Sequence, residues 1–191
     1  MRSPRSLILG GVSLLFLPAV LAAQHPQTRD GFWIGFGIGW GSADATCDGC
    51  ADTDRLSSFT SFIKLGGTLN DRVLLGGEIT GWTKSESGVT ETLGNMTATA
   101  YFYPNAAGGF FLKGGAGFSV YAASNGGSVS GTGVGLTVGL GYDIRVGGNL
   151  SLTPVADFLF GSVGDISENG TALAQGWKQN VFSLGLGVTF H

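Results

Sequence analysis

Phe32-Trp33-Ile34-Gly35-Phe36-Gly37-Ile38-Gly39-Trp40-Gly41 repeats with a period of two. Large apolar side chains stand at 32, 34, 36, 38 and 40, and glycines at 35, 37, 39 and 41. A helix, turning about 100° per residue, would scatter those glycines round its circumference, whereas an extended strand puts successive residues on opposite faces. The stretch is therefore a strand with one apolar face and one face nearly free of side chains.

The same grammar returns twice. Phe182, Leu184, Leu186, Val188 and Phe190 alternate with Ser183, Gly185, Gly187 and Thr189, and Val134, Leu136, Val138, Leu140, Tyr142 and Ile144 alternate with Gly135, Thr137, Gly139, Gly141, Asp143 and Arg145. Weaker versions fill the intervals, so eight strands are expected near 31–43, 56–68, 73–84, 92–103, 109–121, 133–145, 150–160 and 178–190. In the fourth, Thr97, Thr99, Tyr101 and Tyr103 face away from Met96, Ala98, Ala100 and Phe102, and neither side is clearly polar. Pro154 opposes regular pairing in the seventh, because proline has no N–H for the ladder.

Short and long connections alternate. Asn70-Asp71-Arg72, Pro104 to Gly108 and Gly147-Gly148-Asn149 carry the residues of tight turns, while 44–55, 85–91, 122–132 and 161–177 read as longer polar loops. That rhythm predicts an all-β fold, an eight-stranded antiparallel up-and-down transmembrane β-barrel with short periplasmic turns and long external loops. A strand of about 11 residues, at about 3.3 Å each and tilted about 45°, rises about 25 Å, the height of the apolar band of such barrels.

Composition and the N-terminus agree with a membrane destination. Of 191 residues only 12% are charged, against roughly 25% in soluble proteins, and 43% are hydrophobic. A net charge of -3 with no basic run excludes a nucleic-acid partner. Arg2 and Arg5 precede an apolar run from Leu7 to Leu21 that ends in Ala22-Ala23-Gln24. It is too short to span a bilayer and is interrupted by Gly10, Gly11 and Pro18, so residues 1–23 read as a cleaved secretory signal and 24–191 as the barrel domain.

Alternation alone fits both a membrane barrel and a soluble barrel of lipocalin type with its apolar face inside. If the apolar face meets lipid, Lys64, Glu78, Lys113, Asp143, Arg145 and Asp157 share the lumen, three positive and three negative. Such ions need partners in a narrow interior, because an unpaired buried charge costs several kcal/mol. A luminal charge network is expected. Phe32, Trp33, Tyr101, Phe102, Tyr103, Phe110, Phe111, Tyr142 and Phe190 fall at the periplasmic ends, and Trp40, Trp82, Tyr121, Phe158 and Phe160 at the outer ends, where aromatic belts meet headgroups.

The export signal, the eight strands and the closing Val181-Phe182-Ser183-Leu184-Gly185-Leu186-Gly187-Val188-Thr189-Phe190 resemble the small outer-membrane barrel family that includes the OmpA membrane domain and OmpX. The resemblance implies residence in the bacterial outer membrane, among its lipid and lipopolysaccharide. It also implies handling by periplasmic chaperones and the barrel assembly machinery, with Phe190 as the C-terminal aromatic assembly signal, here followed by His191.

No catalytic, cofactor or metal site is expected. His25 lies in the tail and His191 at the terminus, so the external histidine that a lipid A-modifying barrel enzyme would need is missing. Cys47-Asp48-Gly49-Cys50 has no second ligand pair for zinc, and in an oxidising periplasm it reads as a disulfide within the first external loop. The expected role is structural or surface interaction, with a lumen plugged by polar side chains. The rivals are a narrow channel or a small-ligand carrier.

Overall fold

The computed structural model describes residues 29–51, 54–124, 128–168 and 171–191; the expected signal peptide at 1–23 lies outside them. The described chain forms β1 (Phe32–Thr46), β2 (Leu56–Asn70), β3 (Val73–Glu86), β4 (Val89–Phe102), β5 (Phe110–Ser124), β6 (Ser128–Tyr142), β7 (Ile144–Arg145), β8 (Leu150–Glu168) and β9 (Thr171–Phe190). Each pairs antiparallel with its neighbours, β1 pairs with both β2 and β9, and β6 pairs with β8, so the sheet closes on itself.

Nine strands make eight staves, because β7 is the last two residues of the stave that β6 begins. The break falls at Asp143, and the register of Gly141 with Val155 and Ile144 with Leu152 puts Pro154 opposite Tyr142. Proline's missing N–H thus interrupts the ladder on the β6 side, while on the other side Pro154 keeps its place against Leu186 of β9.

The alternation sorts side chains as a lipid solvent demands. Phe36, Ile38, Leu136 and Leu184 are 51%, 60%, 47% and 59% exposed on the outer face, whereas Lys64 and Asp143 are 3% and 0% exposed inside. In β4 the parity is resolved: Thr97, Thr99 and Tyr101 point inward, followed by Tyr103, while Met96 and Phe102 point outward.

Three of the four long polar loops are not loops. β3 and β4 continue to Glu86 and Val89 and are joined by Ser87 and Gly88, both with positive φ (52° and 83°), the two-residue turn that matches the twist of a hairpin. β5 and β6 pair as far as Ser124 and Ser128, and β8 and β9 as far as Glu168 and Thr171. The physical reason is that apolar alternation records contact with lipid, and it stops where the membrane stops. The hydrogen-bond ladder does not. Threonine and valine sustain it, with the Thr83 and Thr92 hydroxyls 3.4 Å apart and those of Ser85 and Thr90 at 2.9 Å. A 15-residue strand tilted about 45° rises roughly 35 Å, about 10 Å more than the apolar band, so a polar collar stands beyond the membrane at the end opposite the termini. Of the four expected long loops, the stretch between β1 and β2 is the one that the described residues leave outside the strands.

Candidate functional site: the occupied lumen

Inward side chains are layered along the barrel axis. At the end that holds the termini, Asp143 accepts hydrogen bonds from Tyr103 Oη (2.8 Å) and Thr153 Oγ1 (2.8 Å), and His191 Nε2 lies 3.5 Å from its Oδ2. Arg145 is buried beside it. Arg29 enters from the N-terminal segment, its guanidinium 3.6 Å from the centre of the Tyr103 ring, and donates to the carbonyls of Ala106 and Gly108. Burial pushes the Tyr103 hydroxyl's pKa well up, and the Asp143 charge adds to that.

The next layer is aromatic. Trp33, Tyr101 and Phe111 stack edge to face, with centroids 5.1 and 5.7 Å apart, and Leu74 and Phe62 pack around them. The wall is thin here so that the rings fit. A Cβ at Gly66 or Gly76 would come within 2.7 or 2.8 Å of the Trp33 ring.

An ionic layer lies against it. Lys113 Nζ, on β5, is 2.5 Å from Glu78 Oε1 on β3 and 3.0 Å from Asp157 Oδ2 on β8, so three staves are tied across the lumen. Tyr101 also donates its hydroxyl proton to Glu78. Lys64 directly opposes Glu78 in the ladder and holds its ammonium 5.2 Å from the ring centres of Tyr101 and Phe111. Two lysines face two carboxylates, so the layer is neutral as a whole. Attraction between desolvated ions a few ångströms apart offsets the cost of taking them out of water only when geometry and hydrogen bonds are good, and here all three members of the bridge are at most 2% exposed.

Above the ions, amides and hydroxyls cross-link the wall. Asn95 donates to the Leu136 and Phe160 carbonyls at 2.9 and 3.1 Å, and Gln179 donates to Ser119 Oγ and the Val120 carbonyl at 3.0 Å each. The last layer is apolar again: Trp82, Leu93, Tyr121, Leu159 and Val181 form a buried cluster just inside the far mouth.

The structure therefore gathers Lys64, Glu78, Lys113 and Asp157 into one layer and sets Asp143 and Arg145 apart at the terminal end. Sequence reasoning missed Arg29, Tyr103, Thr153 and His191 as their companions; Tyr103 and Thr153 share the parity of Thr99 and Asp157, whereas no spacing marks Arg29 or His191. The expected aromatic belts need correction. Phe32, Phe102, Phe110, Phe190, Trp40, Phe158 and Phe160 face outward, but Trp33, Tyr101, Tyr103, Phe111, Trp82 and Tyr121 are buried in the lumen. The belt was read from height along the barrel alone. Parity carried the missing signal, since Phe111 shares its face with Lys113 and Tyr101 with Thr99.

Cys47 and Cys50 have Cα atoms 5.2 Å apart, and the Cys50 N–H donates to the Cys47 carbonyl at 3.2 Å. Phe190 closes the outer face at the terminal end, paired with Ile34 on one side and Leu150 on the other. Among the described residues no group of three or more His, Cys, Asp or Glu side chains is placed to hold a metal ion.

The family model described as "Outer membrane protein beta-barrel domain" matches residues 12–190. The fold is similar to Ail, the attachment invasion locus protein of Yersinia pestis, with TM-score 0.58 and 19% identity over 84% of this chain and 99% of that one. It is also similar to Neisserial surface protein A (0.55, 18%, 85% and 98%) and to the outer membrane protein OprG of Pseudomonas aeruginosa (0.50, 11%, 87% and 100%). The sequence matches no curated protein.

Proposed function

As a member of the outer-membrane protein β-barrel domain family, resident in the bacterial outer membrane, this chain is, we propose, a sealed barrel whose work is structural or interactive and is done by its external face, without catalysis. The bridge from Lys113 to Glu78 and Asp157 carries the reading. A conducting lumen of eight staves would have to run through that bridge and through the Trp33, Tyr101 and Phe111 layer packed against it. Support for an external role comes from the collar, where β8 and β9 carry the wall beyond the lipid and Leu173 stands exposed near the tip of their hairpin. The similarity to Ail lends the fold alone.

The purified barrel in a planar bilayer tests this: the reading expects a quiet membrane, and discrete, reproducible conductance steps would overturn it. The same proposal includes cleavage after residue 23, a Cys47–Cys50 disulfide consistent with the Cα spacing, and recognition of Phe190 by the assembly machinery. Mass spectrometry of the membrane-extracted chain is expected to find Gln24 as the first residue and a mass lower by two hydrogen atoms than that of the reduced chain.

A further inference from the structure

Beyond the apolar cluster the external mouth opens into a cavity of about 380 Å³, within the 300–1,000 Å³ usual for small-molecule sites. Trp82, Leu93 and Tyr121 form its apolar floor and Trp177 one wall, with the Tyr121 and Trp177 rings 4.6 Å apart between centroids. The floor residues are buried, but Trp177 is only half-buried, and aromatic surface left at the mouth is costly unless something covers it. The cavity is built, not fortuitous. The first loop is held against β9 by the Asp48 N–H donating to the Gln175 carbonyl at 2.9 Å, and a Cβ at Gly176 would fall 2.8 Å from Asp48 Cγ, so the loop rests on the glycine and closes that side.

The sign of the lining is one-sided. Asp44, Asp54 and Glu91 line the cavity with no lysine or arginine among the described lining residues. Asp44 is partly neutralised by Arg55 at 3.7 Å, a side chain held on the outer wall by Ser42 and Asn180. Glu91 is oriented toward the aromatic floor by Tyr121, whose hydroxyl donates to it at 3.4 Å. Aromatic faces and carboxylates together favour a desolvated cation over a neutral or anionic molecule of the same shape.

We propose that this mouth is a binding site for a small organic cation with an apolar body, seated against Trp82, Tyr121 and Trp177 with its charge toward Glu91 and Asp54. The site holds whether or not the lumen beneath conducts, so titration and bilayer recording fail separately. The test uses the mature chain in lipid nanodiscs, followed by tryptophan fluorescence during titration with benzyltrimethylammonium, benzyl alcohol or benzenesulfonate. The expected result is a saturable change for the cation, with the neutral and anionic probes about tenfold weaker or worse. Glu91→Gln is expected to weaken the cation about three- to fivefold and leave benzyl alcohol unchanged, while Trp177→Ala weakens both. Circular dichroism verifies that each variant is folded. No saturable response to any probe by the folded protein, or equal affinity for all three, would overturn the proposal.

Discussion

Lys113 is the residue on which the barrel interior is most sharply poised, since its ammonium is the shared partner of Glu78 and Asp157. Replacing it by methionine leaves two carboxylates desolvated with their common cation gone, and the expected loss is about 3–5 kcal/mol in urea unfolding from detergent or lipid. Lys84→Met, at an ion pair whose glutamate is 70% exposed, should change stability by less than about 1 kcal/mol. Neutralising all four members of the layer together, as Lys64→Met, Glu78→Gln, Lys113→Met and Asp157→Asn, should recover most of the loss, because the cost comes from unpaired charge and not from absent attraction. Equal effects of Lys113→Met and Lys84→Met would deny the bridge any energetic role. These ions were legible in the sequence, since parity alone puts Lys64, Glu78, Lys113 and Asp157 opposite the lipid-facing set. Their aromatic neighbours obey the same parity and were misassigned by height. Arg29 and His191 were illegible for another reason: they lie outside the strands, where no period constrains the side chain, and reach the lumen only through the fold.

At the scale of the strand, one residue of register separates wall from interior. Gly139 of β6 pairs with Lys113, and a Cβ there would lie 2.9 Å from Lys113 Cε, whereas Gly114, paired with Val138 next to it, has nothing within 4 Å and faces outward. Gly139→Leu should therefore cost about 1–3 kcal/mol or more through overpacking, and Gly114→Leu should be tolerated. Heat-dependent mobility of the folded barrel in gels distinguishes them, and equal behaviour would mean that the faces are misread. The turn at Ser87 and Gly88 offers the opposite sign. Both residues occupy positive φ, and asparagine adopts that region more readily than serine, so Ser87→Asn should raise the unfolding temperature. Strand existence and order were legible because lipid imposes a period of two. Strand length was not, because the exposed residues of the collar of β8 and β9 are mostly polar, Leu173 apart, without the apolar alternation that marks contact with lipid.

Taken as a whole, the molecule inverts the soluble plan. Its outer wall is apolar, and its axis runs from a polar cap through aromatic and ionic layers to an apolar mouth. The four tryptophans sample both sides, with Trp40 at 61% exposure on the outer face and Trp33 at 1% inside. Single-tryptophan proteins that keep one or the other, reconstituted with lipids brominated along their acyl chains, read the arrangement directly through fluorescence quenching. Strong quenching of Trp40 with Trp33 left nearly untouched is the predicted result; quenching of Trp33 as strong as that of Trp40 would contradict the inside-out barrel.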